Sequence, residues 1–539
     1  MKRINFFFLK NSRRLAYILP VVVLCFAASS RANFEQLAVS AKALSLGNAV
    51  TAYPPGVMSI HYNPSGLSML EDDERSSGFT YMYSIKKRSK FIQDSDYPGI
   101  LGVGSDPVSG ASGASTSGAM NYPVFDNKNF MGFPSFGISH RKPGSKWTFG
   151  FGMYAPFAAG LNHGSAADPA RFGGERIYSY RFVYAAPGVS YQVSDTLSIG
   201  FSLGLGRTAR GIKQDLRSPN DIVAITDIIG QATEGLEIPI LSELTLPEPW
   251  LGGGLPTYGS FAKIEMDLKD DLDTSYNAGL LWQPFKWISF GTCYQSEAKS
   301  KPSGEYTFSY SEKFQRFVNW FGRSPVTVTL STILAMPVEA RPAQHGTVTM
   351  KNLSTPRRFQ SGVMFKPFEM LKFMFDVNWT NWSEIKREVY IFDQDITLFE
   401  ASQFIGYTLG QRTYVIERDL KDIWNTNYGI EVKPFHWMSL RFGFEERESY
   451  VRDKLFDLTL PIQDMDIYTC GIGLEFDSHW RLDLAGAYMK SDTLKLDYND
   501  DIKMTSSGFF DTLYNHYPGM DYEQKTTGLI FSIGLSYSW

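Results

Sequence analysis

Cysteine is nearly absent: the 539 residues hold three, and only Cys293 and Cys470 lie beyond the first 32. Two thiols cannot staple a disulfide scaffold, so the fold must be held by other means. Histidine is also scarce, with seven scattered residues and neither an H-x-x-x-H spacing nor a Cys-His cluster, so no metal site is indicated. Past the N-terminus there is no apolar run of the ~20 residues that a membrane helix needs, and the mean hydropathy is −0.19. Neither charge sign dominates, with 52 basic and 56 acidic residues. Aromatic residues, by contrast, are abundant: 40 Phe, 29 Tyr and 11 Trp make 15% of the chain, which excludes disorder. So many rings in a chain of such low hydropathy need an explanation.

The first residues are basic without acids (Lys2, Arg3, Lys10, Arg13, Arg14), then apolar from Leu15 to Phe26, then small from Ala27 to Ala32. That order predicts a secretory signal peptide over residues 1–32. Its removal takes away six basic residues and shifts the net charge from −4 to −10. An acidic exported chain is a poor nucleic-acid binder.

Beyond the leader, period-2 alternation is widespread. Leu529, Phe531, Ile533, Leu535, Tyr537 and Trp539 alternate with Ile530, Ser532, Gly534, Ser536 and Ser538, and Met438, Leu440, Phe442 and Phe444 alternate with Ser439, Arg441, Gly443 and Glu445. Such segments are half-buried strands. The pattern predicts fourteen of them, near 75–92, 133–141, 146–156, 177–193, 196–210, 259–283, 286–308, 346–366, 371–392, 423–433, 437–450, 465–477, 480–498 and 526–539. Their connections alternate strictly between short and long. Several short ones repeat a Pro-Phe pattern, as at Pro284-Phe285, Pro367-Phe368 and Pro434-Phe435.

A soluble sandwich has no reason to segregate loops by length at its two ends, whereas a bacterial outer-membrane barrel does. The expected fold is therefore all-β, a 14-stranded antiparallel transmembrane barrel, located in the cell outer membrane. Alternation also puts Cys293 with Ser289 and Gly291, but Cys470 with Tyr468, Ile472 and Leu474. The two should face opposite sides of the wall and form no disulfide. Enzyme signals are weak, and no catalytic residue is indicated: Gly200-Phe201-Ser202-Leu203-Gly204 matches G-x-S-x-G, but its serine is mid-strand rather than at a strand-turn-helix elbow. The acid-rich stretches Asp267–Asp273 and Asp497–Asp501 read as strand ends and solvated loops.

Residues 33–73 do not alternate; they are small and punctuated by glycine. Some 40 compact residues ahead of the first strand suggest a plug in the lumen. The order Ser40-Ala41-Lys42-Ala43-Leu44-Ser45-Leu46-Gly47-Asn48-Ala49, followed by Tyr62-Asn63-Pro64-Ser65-Gly66-Leu67, resembles the hatch of the FadL family (OmpP1/FadL/TodX-like) of outer-membrane long-chain fatty-acid and hydrocarbon transporters. Met153-Tyr154-Ala155-Pro156-Phe157, the stretch from Pro187 to Asp195, and that from Asp376 to Ser383 resemble it too. Ser65 departs from the alanine the family's Asn-Pro-Ala motif has there.

The resemblance implies a division into leader 1–32, hatch 33–74 and barrel 75–539, with no cofactor. It implies passive uptake of a long-chain fatty acid or other hydrophobic small molecule, captured in an extracellular groove and released sideways into the membrane beside a kinked third strand. The partners in that reading are the ligand, the lipid bilayer and lipopolysaccharide, and the chain acts as a monomer. The groove would lie between loops 211–258 and 309–345, whose apolar residues have helical spacing: Ile225, Ile228 and Ile229 in the first, Phe314, Phe317, Val318, Trp320 and Phe321 in the second. Apolar loops of this kind mark a ligand or partner site, or else two helices that pack on each other. Asn63, Pro64, Ser65, Gly150 and Gly152 are the candidate hatch and gating residues. Glycine in the third strand marks either a bulge at a lateral gap or room for the hatch. A surface adhesin on a barrel, and a porin for polar solutes, are the competing functions. Lys372, Asp376, Arg441, Glu445, Arg481 and Asp483 on inward positions favour the porin, and a plugged lumen disfavours it.

Overall fold

A computed structural model describes residues 38–117, 120–122, 125–128, 132–164, 167–236, 238–241, 244–403, 410–476, 479–500, 502–504 and 516–539. The expected leader falls outside them. Fourteen antiparallel strands form the wall: β1 Glu74–Gln93, β2 Gly132–His140, β3 Trp147–Asn162, β4 Arg176–Ser194, β5 Leu197–Leu216, β6 Ala262–Phe285, β7 Ile288–Gln295, β8 Arg358–Phe368, β9 Leu371–Thr380, β10 Ile423–Phe435, β11 Met438–Arg447, β12 Met465–Glu475, β13 Trp480–Lys490 and β14 Met520–Ser538. Each pairs with its sequence neighbours, and β14 closes on β1 from Glu74 opposite Ser538 to Gln93 opposite Met520. Closure leaves no open edge in lipid, where an unpaired backbone group has no water to bond.

The alternation has the predicted physical sense. Phe531, Ile533 and Leu535 are exposed on the outer face, while Ile530 and Ser532 on the alternate positions are buried. Trp147, Trp287, Trp437, Trp480 and Trp539 are exposed beside the short turns, and Tyr276, Phe359, Trp424, Tyr468 and Tyr488 toward the long loops. These are the two aromatic girdles of a membrane barrel. Cys293 is buried, Cys470 is exposed, and both are free thiols.

The observed strands differ from the predicted spans in extent: the third and fifth run on to Asn162 and Leu216, and the thirteenth stops at Lys490 rather than 498. The last strand starts at Met520 rather than 526. The spans expected as single strands over 286–308, 346–366 and 371–392 are each interrupted: β7 resumes as Ser303–Tyr310, β8 is preceded by Ala343–Met350, and β9 resumes as Arg387–Phe392. Pro302 and Pro356 sit in two of the breaks, where a ring nitrogen offers no ladder donor.

Candidate functional site

Residues 38–70 lie in the lumen, most of them buried, with Ser40, Asn48, Tyr53, Gly56 and Leu70 half-buried and Met69 exposed. The sequence folds there into short helices because it supplies caps where apolar periodicity is too short to nucleate one: Ser40 accepts from the Ala43 amide, and Asn63 caps the turn that begins at Pro64. Asn63 also ties the plug to the wall, its Nδ2 donating to Thr51 O at 2.9 Å and to Leu280 O of β6 at 3.1 Å. Ser190 Oγ of β4 donates to Ser65 O, 3.1 Å away. The serine of the G-x-S-x-G match is another tether, as Ser202 Oγ donates to Ile60 O at 2.8 Å.

Glycine on the wall lets the plug approach this closely. A Cβ at Gly200 would fall on the Pro64–Ser65 backbone, and one at Gly150 would stand 2.9 Å from Ile60 Cδ1. Gly150 and Gly152 are still paired with β2 on one side and β4 on the other. They stand opposite the plug, below the irregular part of β3.

That irregular part begins one turn of pleat higher. The β3–β4 register shifts between Gly152 and Tyr154 and again between Tyr154 and Phe157. On its β2 side, β3 has no ladder partner from Tyr154 to Gly160 among the described residues; pairing resumes where Leu161 meets Ser117. Pro156 lies within this stretch.

On the opposite side the plug is held by charge. Glu431 of β10 accepts from Lys372 Nζ and Arg441 Nε, both at 2.7 Å, and Arg441 also meets Asp483 at 2.5 Å. The plug enters this cluster through Tyr53, whose hydroxyl lies 2.7 Å from Lys372 Nζ and 3.2 Å from Glu431, and through Lys42, 3.8 Å above the Tyr53 ring. Asp376 accepts from the Thr51 amide at 2.8 Å, and Glu445 from Asn48 at 2.9 Å. The inward charges that favoured a porin are therefore spent on one another and on the plug.

Above the plug is an apolar cavity of about 80 Å³. Phe157, Leu161, Ile177, Trp382, Ile385 and Leu460 line it, with Arg181 and Arg210 at its polar edge. Both cations are compensated: Arg181 pairs with Asp273 at 2.6 Å and Arg210 with Glu388 at 2.9 Å. Burial alone would raise the Glu388 carboxyl pKa, yet Arg210 and Arg418 hold it below the ordinary value. The floor is closed by His61 and Tyr154, which line an adjoining cavity.

The loop residues are placed less openly than the groove expectation had them. Helix α1, Asp221–Ala232, and helix α2, Glu312–Trp320, both pack on the turn Trp250–Gly253 between them. A Cβ at Gly252 would collide with the Arg316 carbonyl, so only glycine fits there. Phe314, Phe317, Val318, Trp320 and Phe321 are all buried in this packing, with a residual cavity of only 20 Å³ beside Phe314 and Phe317. Ile229 is half-buried; Ile225 and Ile228 are the two predicted groove residues left at the surface, each about 45% exposed. Trp320→Ala removes a ring whose Nε1 donates to Pro247 O at 2.6 Å. It should cost about 3–5 kcal/mol of loop stability, seen as faster protease cleavage within 217–261 and 296–357 while the barrel stays intact.

Asn63 and Ser65 apart, the cavity and tether residues were not identifiable from sequence, because no local pattern marks which inward residue meets which. Elsewhere, Asp94, Asp497 and Asp521 bring carboxylate oxygens within 4.8 Å of one another at the outer surface, and exposed acids do so commonly without a cation.

A closed, plugged barrel with girdled outer faces and long loops at one end is an outer-membrane channel for transport across that membrane. The sequence assigns it more narrowly: residues 21–539 match the model of the outer membrane protein transport proteins (OMPP1/FadL/TodX), and the chain belongs to that family. No curated protein matches it. Among solved structures it is similar to a Pseudomonas aeruginosa FadL homologue, with TM-score 0.65 and 13% identity over 95% of this chain and 100% of the other. The toluene transporter TodX of P. putida gives TM-score 0.59, 15% identity and 94% and 99% coverage. The Ralstonia pickettii toluene transporter TbuX gives 0.55 and 15%, with the same coverage.

Proposed function

We propose that this chain carries long-chain fatty acids or similar hydrophobic small molecules passively into the outer membrane. A molecule lands on the apolar outer loops, where Ile225 and Ile228 face solvent, settles in the cavity above the plug, and leaves sideways past β3. The supporting observation is a juxtaposition: Phe157, Ala159 and Gly160 belong both to the cavity lining and to the stretch of β3 without a β2 partner. A molecule in that cavity is one strand's width from lipid. No covalent chemistry is needed, since transfer of apolar surface from water is favourable by about 25 cal/mol per Å² and a gradient supplies direction. The walls, lipopolysaccharide and bilayer are then the surroundings of a monomer, and toluene transport by TodX and TbuX makes small aromatics an alternative cargo.

The test is uptake of labelled oleate and labelled toluene by liposomes with and without the protein, alongside single-channel conductance. Protein-dependent uptake with little steady conductance is expected. The pair Ile225→Asp and Ile228→Asp should slow uptake by about tenfold, the effect of ~1.4 kcal/mol on the entry step. Large ohmic conductance with no uptake of either compound would make the protein a porin instead.

A further inference from the structure

The wall is interrupted at a second place, away from β3. The β8–β9 ladder stops at Arg358 opposite Thr380, with one further bond from the Asn381 amide to Arg357 O, and the strands meet again where the Lys351 amide bonds Val389 O and Met350 faces Tyr390. Between 352–356 and 382–388 no backbone hydrogen bond crosses among the described residues. The chain beside this break folds away as a separate ribbon, Ala298–Ser300 paired with Leu353–Thr355, which is not joined to the main sheet. The two backbones bond away from each other there, Leu353–Thr355 to Ala298–Ser300 and Ile385–Lys386 to residues 418–420, so the wall parts between them.

The break holds a cavity of about 600 Å³, lined by Asp270, Lys301, Leu353, Glu384, Ile385 and Arg387 among others. Asn352, Leu353, Ser354 and Ile385 line this cavity and the lumen cavity alike. Two buried polar atoms lack a hydrogen-bond partner among the described residues: Ser354 Oγ at that partition, and Trp382 Nε1 on the wall of the lumen cavity. Indole nitrogen can only donate, so the group it awaits is an acceptor. Phe359 and Trp424, exposed below the break, belong to the outer aromatic girdle, which sets the opening at headgroup level. Lys301 and Arg387 stand at its mouth without an ion pair among the described residues.

We propose that the break between β8 and β9 is a second lateral passage, joining the outer leaflet to the lumen cavity for an amphiphile whose polar end carries an acceptor oxygen, such as a carboxylate. The cations at the mouth attract the head, Trp382 Nε1 and Ser354 Oγ bond it in transit, and Leu353, Ile385 and Leu420 carry the tail. This passage rests on the hydrophobic-cargo reading above.

The experiment uses the full-length protein in liposomes with a diazirine-bearing palmitate, photolysed and mapped by peptide mass. Adducts are expected within 352–356 or 382–388 as well as on the lumen cavity. In parallel, Ile385→Trp plugs this passage and Ala159→Trp the gap at β3. Each alone should leave a measurable part of oleate uptake, and the two together should lower it at least about tenfold; heat-modifiable gel migration verifies that the variants are folded. Adducts confined to 154–160, or abolition of uptake by Ala159→Trp alone, would overturn the passage while leaving the uptake function intact. Failure of the wild-type protein to take up oleate or toluene would overturn both.

Discussion

Gly200→Val should unseat the plug and turn a quiet barrel into a conducting one. Its Cβ would fall on the Pro64–Ser65 backbone, so no flexible side-chain end can yield. The wall cannot give way either, since Gly200 is laddered to Ser190 and Gly279 on its two sides. The plug must move. Overpacking of this kind costs roughly 1–3 kcal/mol, and more where backbone meets backbone. The expected result is a large rise in single-channel conductance with the barrel still heat-modifiable on gels. Gly486→Val is the control, because a Cβ there meets only Phe531 at an ordinary 3.7 Å. Equal conductance of the two variants would show that the plug is not held by this close approach.

Arg441→Leu should have the largest effect on stability. The change leaves Glu431 and Asp483 buried, with Lys372 at 2.7 Å, Arg481 at 3.0 Å and the plug's Lys42 left to balance them. Removing one partner of a buried ion network typically costs about 3–5 kcal/mol, because the carboxylates left behind have lost their solvent as well as their counter-charge. Both a lower unfolding temperature and faster amide exchange in residues 38–57 are expected, since Tyr53 and Lys42 dock on the same cluster. Arg441→Lys, which keeps the charge but not the two-sided geometry, should recover part of the loss. A variant with unchanged exchange in 38–57 would mean that the cluster stabilises the wall alone.

Together these two contacts give the plug unequal sides. Toward β9–β13 it is held by buried charges and by close backbone packing at Gly443; toward β3–β5 it is held by close backbone packing and a few serine and asparagine tethers. The irregular part of β3 lies on the side without those charges.

Several sequence expectations rested on local periodicity, and these match the structure. The alternation of Leu529 to Trp539 set one face to lipid, and the segregation of short and long connections set the barrel's two ends; fourteen strands follow from counting such segments. The loop aromatics were harder to place. Helical spacing in Phe314 to Phe321 is compatible with an open groove or a closed helix packing, and only the insertion of Trp250–Gly253 between the two helices filled the space. Likewise, glycine at 150 is compatible with a gap or with a plug, and Ile60 decides which neighbour it has. The breaks in β7 to β9 left a trace in Pro302 and Pro356, but proline also ends strands at turns, so the residues alone did not distinguish an interrupted wall from a finished strand.

The sequence by itself determined that this is a transmembrane barrel with a compact segment ahead of its first strand, because side-chain direction in a strand alternates residue by residue and is written locally. The tertiary structure decided what that segment touches, where the wall is unpaired and which apolar residues enclose space. Those features depend on register and curvature, which bring Tyr53 to Glu431 across 378 residues of chain and Asn63 to Leu280 across 217, and no local pattern encodes separations of that length.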